Sequence, residues 1–249
     1  MSIWELVKIA VENIKNNKLR SFLTTLGIMI GIAAVISVVA IGQGGRAMLM
    51  QEMEKFGTNL FVVYTNYQDS ENWRPGDFQV SDIEVIKGAV KEIKYMAPSS
   101  YTQIKIRGNR GEVNTSLTGT TADYAVIRNL LLDKGRYISP DDDAGGRQVI
   151  VLSANCAREL FGQEDVVGQR VMIDNNSALV IGVLKDDKSM LGGSPGYEAH
   201  VPLTFMQRII PDNAISEFFG STTNKDEVKA AADKAVKLME RRHQAPGHY

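Results

Sequence analysis

Three histidines, a run of three aspartates and one cysteine are the side chains from which chemistry could be built, and their spacing forms no familiar centre. His200, His243 and His248 are scattered, without a His-Glu-x-x-His or paired-His spacing that would hold zinc. His200 sits in an apparent strand and reads as a core or edge imidazole. Asp141-Asp142-Asp143 suggests calcium, and a loop starting at Asp141 would put Gly146 at its sixth position. Its twelfth position, where a bidentate glutamate is needed, holds Leu152, so a solvated turn is the expectation. Cys156 is the only cysteine and can form neither a disulfide framework nor a zinc knuckle. Its surroundings, Ser153 to Phe161, read as a short helix without an electropositive, His-bearing neighbourhood, which predicts a buried structural thiol. Gly42, Gly44 and Gly45 are not followed by Gly-Lys-Ser/Thr and are no phosphate loop. Gly192-Gly193-Ser194-Pro195-Gly196 reads as a flexible loop open to a substrate or partner contact. No catalytic, cofactor-binding or metal-binding residue is assigned, and the chain reads as a non-enzyme.

The elements that would carry any site begin with a membrane segment. Leu23 to Ile41 is a 19-residue run without charge, bounded by Arg20 and Arg46, and at 1.5 Å per residue it is long enough to cross a bilayer core. Lys8, Lys15, Lys18 and Arg20 precede it, whereas the charges after it are mixed. The positive-inside rule therefore puts the N-terminus in the cytoplasm and the rest outside. A cleaved signal peptide is the competing reading, but the run exceeds a typical apolar region and 22 residues come before it. Those residues, 1–22, place Ile3, Val7, Ala10, Val11 and Ile14 at helical spacing behind Trp4. That pattern predicts an amphipathic helix at the inner membrane surface or against a partner protein. Within the span, Gly27 and Gly31 form a Gly-x-x-x-Gly pair suited to close packing with another membrane helix. Residues 42–57 read as a glycine-loosened exit followed by a short amphipathic stalk with Leu49, Met53 and Phe56 on one side.

Residues 58–249 read as an α+β domain. Leu60 to Tyr64 is an apolar strand, and Val80 to Ile93 predicts a helix capped by Ser81. Gln103 to Arg107 and Val113 to Leu117 form a hairpin turned by Asn109-Arg110-Gly111. A β-rich block follows: Gln148–Leu152, the Cys156 helix, Val171–Ile173 and Ala178–Leu184, the last two joined by Asp174-Asn175-Asn176. Ile215 to Phe219 is a further strand, and Asn224 should cap a helix from Lys225 to about Arg242. Asn66 to Gly76 reads as the least ordered part. The order suggests an outer ferredoxin-like unit with an inserted β-rich lobe at roughly 125–211. Charge is nearly balanced, 28 basic against 29 acidic residues, which argues against a nucleic-acid partner.

The stretch from Arg20 to Val35, RSFLTTLGIMIGIAAV, resembles the first membrane helix of MacB/FtsX-type ABC transporter permeases, and Ala10 to Leu19 resembles that family's amphipathic lead-in. Gly119 to Tyr124, Lys134 to Ile138, Val149 to Leu152, Glu159 to Gly162, Val167 to Val171, Val180 to Leu184 and Val201 to Leu203 are similar, in order, to its periplasmic core domain. The resemblance implies a two-lobed extracytoplasmic domain, with a Porter-type lobe and an inserted Sabre-type lobe. It further implies a dimeric permease, homodimer or heterodimer, in the cytoplasmic membrane of a prokaryote. A separate ATPase chain would bind the ATP, and a periplasmic adaptor or membrane fusion protein is an optional further partner. The mode it implies is mechanotransmission, in which the membrane helices pass the ATPase cycle to the outer domain. The family has three more membrane helices after this domain, so the sequence reads as the N-terminal portion of a permease. The alternative is a single-pass sensor or binding module with an extracytoplasmic ligand domain; a membrane-anchored enzyme comes third.

Overall fold

The computed structural model describes residues 3–55, 59–65, 78–185, 196–211 and 213–249. The chain divides into two compact units, Met1–Gln51 and Glu52–Tyr249. The first holds α1 (Ile3–Asn16) and all but the last four residues of α2 (Lys18–Lys55), the two helices separated by Asn17 alone. α2 is 38 residues long and passes through Gly42, Gly44 and Gly45 without a break. The expected loosening at those glycines does not occur. Each glycine costs a helix only about 1 kcal/mol, which the uninterrupted hydrogen-bond ladder on both sides absorbs. Leu49 and Met53 lie on this same helix; Phe56 lies outside the described residues.

The second unit is a mixed α+β fold. Its elements are β1 (Leu60–Tyr64), α3 (Val80–Ala89), β2 (Ile93–Arg107), β3 (Glu112–Thr120), α4 (Asp123–Ile127), β4 (Leu132–Gly135), α5 (Pro140–Ala144), β5 (Val149–Ser153), α6 (Ala154–Phe161), β6 (Arg170–Ile173), β7 (Asn176–Leu184), β8 (Glu198–Pro202), α7 (Leu203–Ile209), β9 (Glu217–Thr222) and α8 (Val228–His243). One sheet runs through all of it in the order β1-β9-β2-β3-β8-β5-β7-β4, with β6 bridging β2 and β7. The β2–β3 hairpin holds the expected register, Ile106 opposite Val113, and Gly108 N–H donates to Gly111 C=O at 2.8 Å to close its turn. β3–β8 and β5–β7 are parallel; the other pairs are antiparallel.

Both sheet faces are covered, which the alternation of side chains makes visible. Ile150 and Leu152 enter a core with Ile106, Leu117, Leu160 and Phe205 beneath α6 and α7, while their neighbours Val149 and Val151 enter another with Ile138 and Ile181. Likewise Phe218 packs with Phe61, Val63, Ile86 and Met239 beneath α3 and α8, and Phe219 packs with Ala97, Tyr124 and Ile127. This two-sided burial explains why β5 reads as a continuous apolar run. α6 stops at Gly162, whose φ of 76° is the left-handed conformation that ends a helix at low cost in glycine.

Some boundaries differ from expectation. α3 ends at Ala89, and Ile93 begins β2 instead of continuing the helix. Ile86, Val90 and Ile93 are all buried, so their apolar period does not tell a helix from a helix running into a strand. Its N-cap is Gln79, whose backbone N–H donates to Asp82 Oδ2 at 2.8 Å; Ser81 is already inside the helix. Asn224 makes no side-chain capping bond and instead precedes a 3₁₀ turn, Lys225–Glu227, before α8 starts at Val228. The last strand begins at Glu217, two residues later than expected.

Candidate functional site

Gly27 and Gly31 lie one turn apart on α2, and a Cβ built on either would meet nothing within 4 Å. The helix around them is apolar and bare: Lys18–Met48 has a mean hydropathy of 2.4, none of its apolar window is covered by the protein, and Ile28, Ile32, Val35 and Val38 are more than half exposed. Thr24 and Ser37 return their hydroxyls to the carbonyls of Arg20 and Ala33 at 2.9 and 2.8 Å. Those polar groups therefore need no water, as a lipid environment requires. α1 likewise exposes Ile3, Trp4, Leu6, Val7, Val11 and Ile14.

In the folded domain the aspartate run is not a solvated turn. Asp142 is fully buried at the third position of α5, where Arg136 grips it with two bonds of 2.5 and 3.1 Å and Arg147 adds a third at 3.3 Å. Ser139 completes the cap, its N–H and hydroxyl donating to Asp142 Oδ2 at 2.9 and 2.8 Å. Arg136 above all, with the Ser139 bonds, holds this carboxyl well below the usual carboxylate range against the opposing effect of burial. Asp143 accepts from Thr204 N–H at 2.9 Å and so joins α5 to α7. These two carboxylates are thus committed to the protein's own groups. A second buried carboxylate, Asp82, receives Arg242 Nε at 2.6 Å and lies 3.1 Å from His243 Nε2, tying α3 to the end of α8.

His200, in β8, is a core imidazole as expected, 4% exposed. Burial, assisted by the Arg128 charge, lowers its pKa to about 4. Its Nδ1 shares a 2.6 Å hydrogen bond with the Tyr137 hydroxyl, and the Tyr124 and Tyr137 rings meet it edge-on. Burial also pushes the Tyr137 phenol well above its ordinary value, so the pair is neutral through the physiological range. Cys156 is buried in α6, its thiol raised to about 11 chiefly by burial and 3.7 Å from Thr115 Oγ1, which suits a structural thiol. The Tyr249 ring meets His248 edge-on and lies tilted against His243. An open recess of ≈ 240 Å³ is lined by polar groups, among them Asn59, Lys94, Asn129 and Thr222, and by the apolar Val126 and Ile127. The Gly192–Pro195 loop and Asn66–Gly76 lie outside the described residues. Sequence reasoning missed the Asp82 and Asp142 anchors; the Ser139-x-x-Asp142 spacing, a capping box with aspartate, was the available signal for the second.

The comparisons agree with this architecture. The family described as MacB-like periplasmic core domain matches residues 21–238. An uncharacterized ABC transporter permease of Bacillus subtilis, YknZ, is 29% identical over 254 residues, covering all of this chain and 64% of that protein. The macrolide export ATP-binding/permease protein MacB of Shigella dysenteriae is 28% identical over 243 residues, 96% of this chain and 37% of that one. The chain therefore spans only part of the length of these relatives. Among solved structures, the periplasmic region of MacB from Actinobacillus actinomycetemcomitans aligns with a TM-score of 0.67 at 18% identity, over 79% of this chain and 90% of that one. The extracellular domain of YknZ from Gram-positive bacteria aligns at 0.62 and 24% identity, over 75% of this chain and 94% of that one. An apolar helix long enough to cross a membrane precedes this domain, and the chain belongs to the MacB-like periplasmic core domain family.

Proposed function

We propose that this chain is the N-terminal part of a permease of the mechanotransmission type, in the cytoplasmic membrane of a prokaryote with its N-terminus inside. A separate ATPase chain hydrolyses ATP, a second permease copy completes the assembly, and the outer domain moves cargo or engages an adaptor. β1, β9 and the start of β2 with α3 and α8 serve as the Porter-type lobe, and the chain from about 125 to 211 as the Sabre-type lobe. The observation that carries this reading is the continuity of α2. It runs on from Ile41 to Lys55 as helix, about 21 Å beyond the apolar run at 1.5 Å per residue, so a displacement of the span is delivered along a rigid rod. Leu49 and Met53 belong to this stalk, and Gly27 and Gly31 to the face that meets another membrane helix.

Orientation is the test. In a Cys156→Ser background, a membrane-impermeant thiol reagent should label Asn109→Cys, at the exposed β2–β3 turn, in intact cells. Ser2→Cys should be labelled only after permeabilisation. The reverse pattern would overturn the arrangement.

A further inference from the structure

The recess beside α4 is lined by hydrogen-bonding groups that the fold leaves unused. Phe219, Leu60 and Tyr95 pack on one face of the sheet, and by alternation Ser221 lies on that face too. A bulge brings Lys94 to the same place. The β2–β9 register shifts there: Ile93 stands opposite Thr222 and Tyr95 opposite Ser221, so Lys94 is the extra residue. Ile93 enters the core beneath α3 and α8, Tyr95 packs on the α4 side, and Lys94 Nζ lies 5.2 Å from the centre of the Tyr95 ring. No carboxylate lines the recess, and among the described residues none bonds to Lys94. Glu92, two positions earlier, is taken by Lys234. Ser221 is the second observation. It lines the recess and is only 6% exposed, yet its hydroxyl makes no hydrogen bond among the described residues. A side chain so buried is ordinarily bonded, which leaves this hydroxyl to a molecule in the recess. Asn59 Nδ2 donates to Thr222 C=O at 2.6 Å, which fixes the amide and spares its second N–H and its Oδ1. On the far wall stand Val126 and Ile127, and the carbonyls of Tyr124, Ala125 and Val126 already accept from the N–H groups of Arg128, Leu130 and Asn129.

We propose that this recess binds a small organic oxyanion, a phosphate or carboxylate that also carries a hydroxyl group. Lys94 supplies the charge, the Ser221 hydroxyl donates to the anion, and the fixed Asn59 amide meets the ligand's hydroxyl. Val126 and Ile127 cover its carbon atoms. A volume of ≈ 240 Å³ is the liquid share of about eight waters, which suits a molecule the size of glycerol 3-phosphate and is too small for a drug-sized one. A free metabolite and a phospholipid headgroup both present this chemistry. Binding here is independent of the transport reading and neither supports nor weakens it.

The test is calorimetric titration of the full chain in detergent with glycerol 3-phosphate, glycerate and, as the uncharged control, glycerol. The two anions should bind and glycerol should not. Lys94→Met should weaken binding about tenfold, the effect of losing a charge-assisted bond, and Ser221→Ala several-fold. Lys94→Arg, which keeps the charge, should retain most of the affinity. Lys91→Met, a charge change at an exposed residue outside the recess, should leave binding unchanged, and circular dichroism should be the same for all four variants. Displacement of glycerol 3-phosphate by a short-chain phosphatidylglycerol would assign the site to a lipid headgroup; binding of the small anions without such displacement would assign it to a free metabolite. Absence of binding by both anions at millimolar concentration would overturn the proposal and leave the recess to water. Equal weakening by Lys91→Met and Lys94→Met would overturn it as well, since that marks general charge attraction.

Discussion

At the scale of single residues, two buried polar groups, His200 and Asp142, have their protonation held away from the ordinary. His200 is neutral in the fold down to about pH 4, whereas an unfolded histidine takes up its proton near pH 6.5. Its contribution is therefore complete above about pH 6.5 and is lost as pH falls toward 4, up to about 3 kcal/mol from the pKa difference. Asn in its place retains a hydrogen-bonding group near Nδ1 for Tyr137. We expect His200→Asn to cost about 1–2 kcal/mol at neutral pH and to flatten the decline between pH 6.5 and 4.5, measured by urea unfolding at each pH. An unchanged slope would assign the acid sensitivity to other groups. Asp142 acts in a different window: its folded pKa is depressed, so its contribution holds above about pH 4, the unfolded value, and is lost only below it. Between pH 6.5 and 4.5 the two effects are separable.

At the scale of elements, the same device appears at two joints. Asp82 caps α3 through Gln79 N–H and receives Arg242 and His243 from the last turn of α8, 160 positions away in the sequence from Arg242. The basic end of α8 is also where its dipole favours cations, so the carboxylate meets the Arg242 charge where the helix already stabilises it. Removing it leaves an uncapped α3, and an arginine that is 38% exposed and can turn to water. Asp82→Ala should therefore cost about 2–4 kcal/mol, the sum of a lost cap and a lost charge-assisted bond, short of the cost of stranding a buried charge. Amide exchange decides whether the loss is at this joint. Protection in α8 should fall well before protection in α6, whose Cys156 and Leu160 sit in a separate core. Equal losses in both helices would mean that Asp82 supports the domain as a whole.

At the scale of the whole molecule, the proposed function gives the face at Gly27 and Gly31 a role in a permease assembly. If another membrane helix lies there, Leu at position 31 separates two backbones and forfeits about 1–2 kcal/mol of close packing. Gly31→Leu should then insert and express normally yet sharply reduce transport by the complete permease with its ATPase. Unchanged transport would return the glycine pair to an incidental role, since Leu facing lipid favours the helix. Much of this molecule was legible in its residues. An uncharged run of 19 needs no partner to declare itself, and β1, β5, β7 and the β2–β3 hairpin follow from short-range apolar patterns and one turn. The Gly42–Gly45 cluster misled because a helix interior tolerates glycine when the ladder continues on both sides. α4, β4, α5 and α7 are too short for a period to register. Three adjacent aspartates look solvated to any local pattern, and the burial of Asp142 depends on Arg136 and Arg147 folding over it. The sequence alone determined the span, the order of most elements and the kinship, because those are written in local hydropathy and short motifs. Tertiary structure alone decided which carboxylates are buried and which strands pair, because each depends on groups brought together from distant parts of the chain.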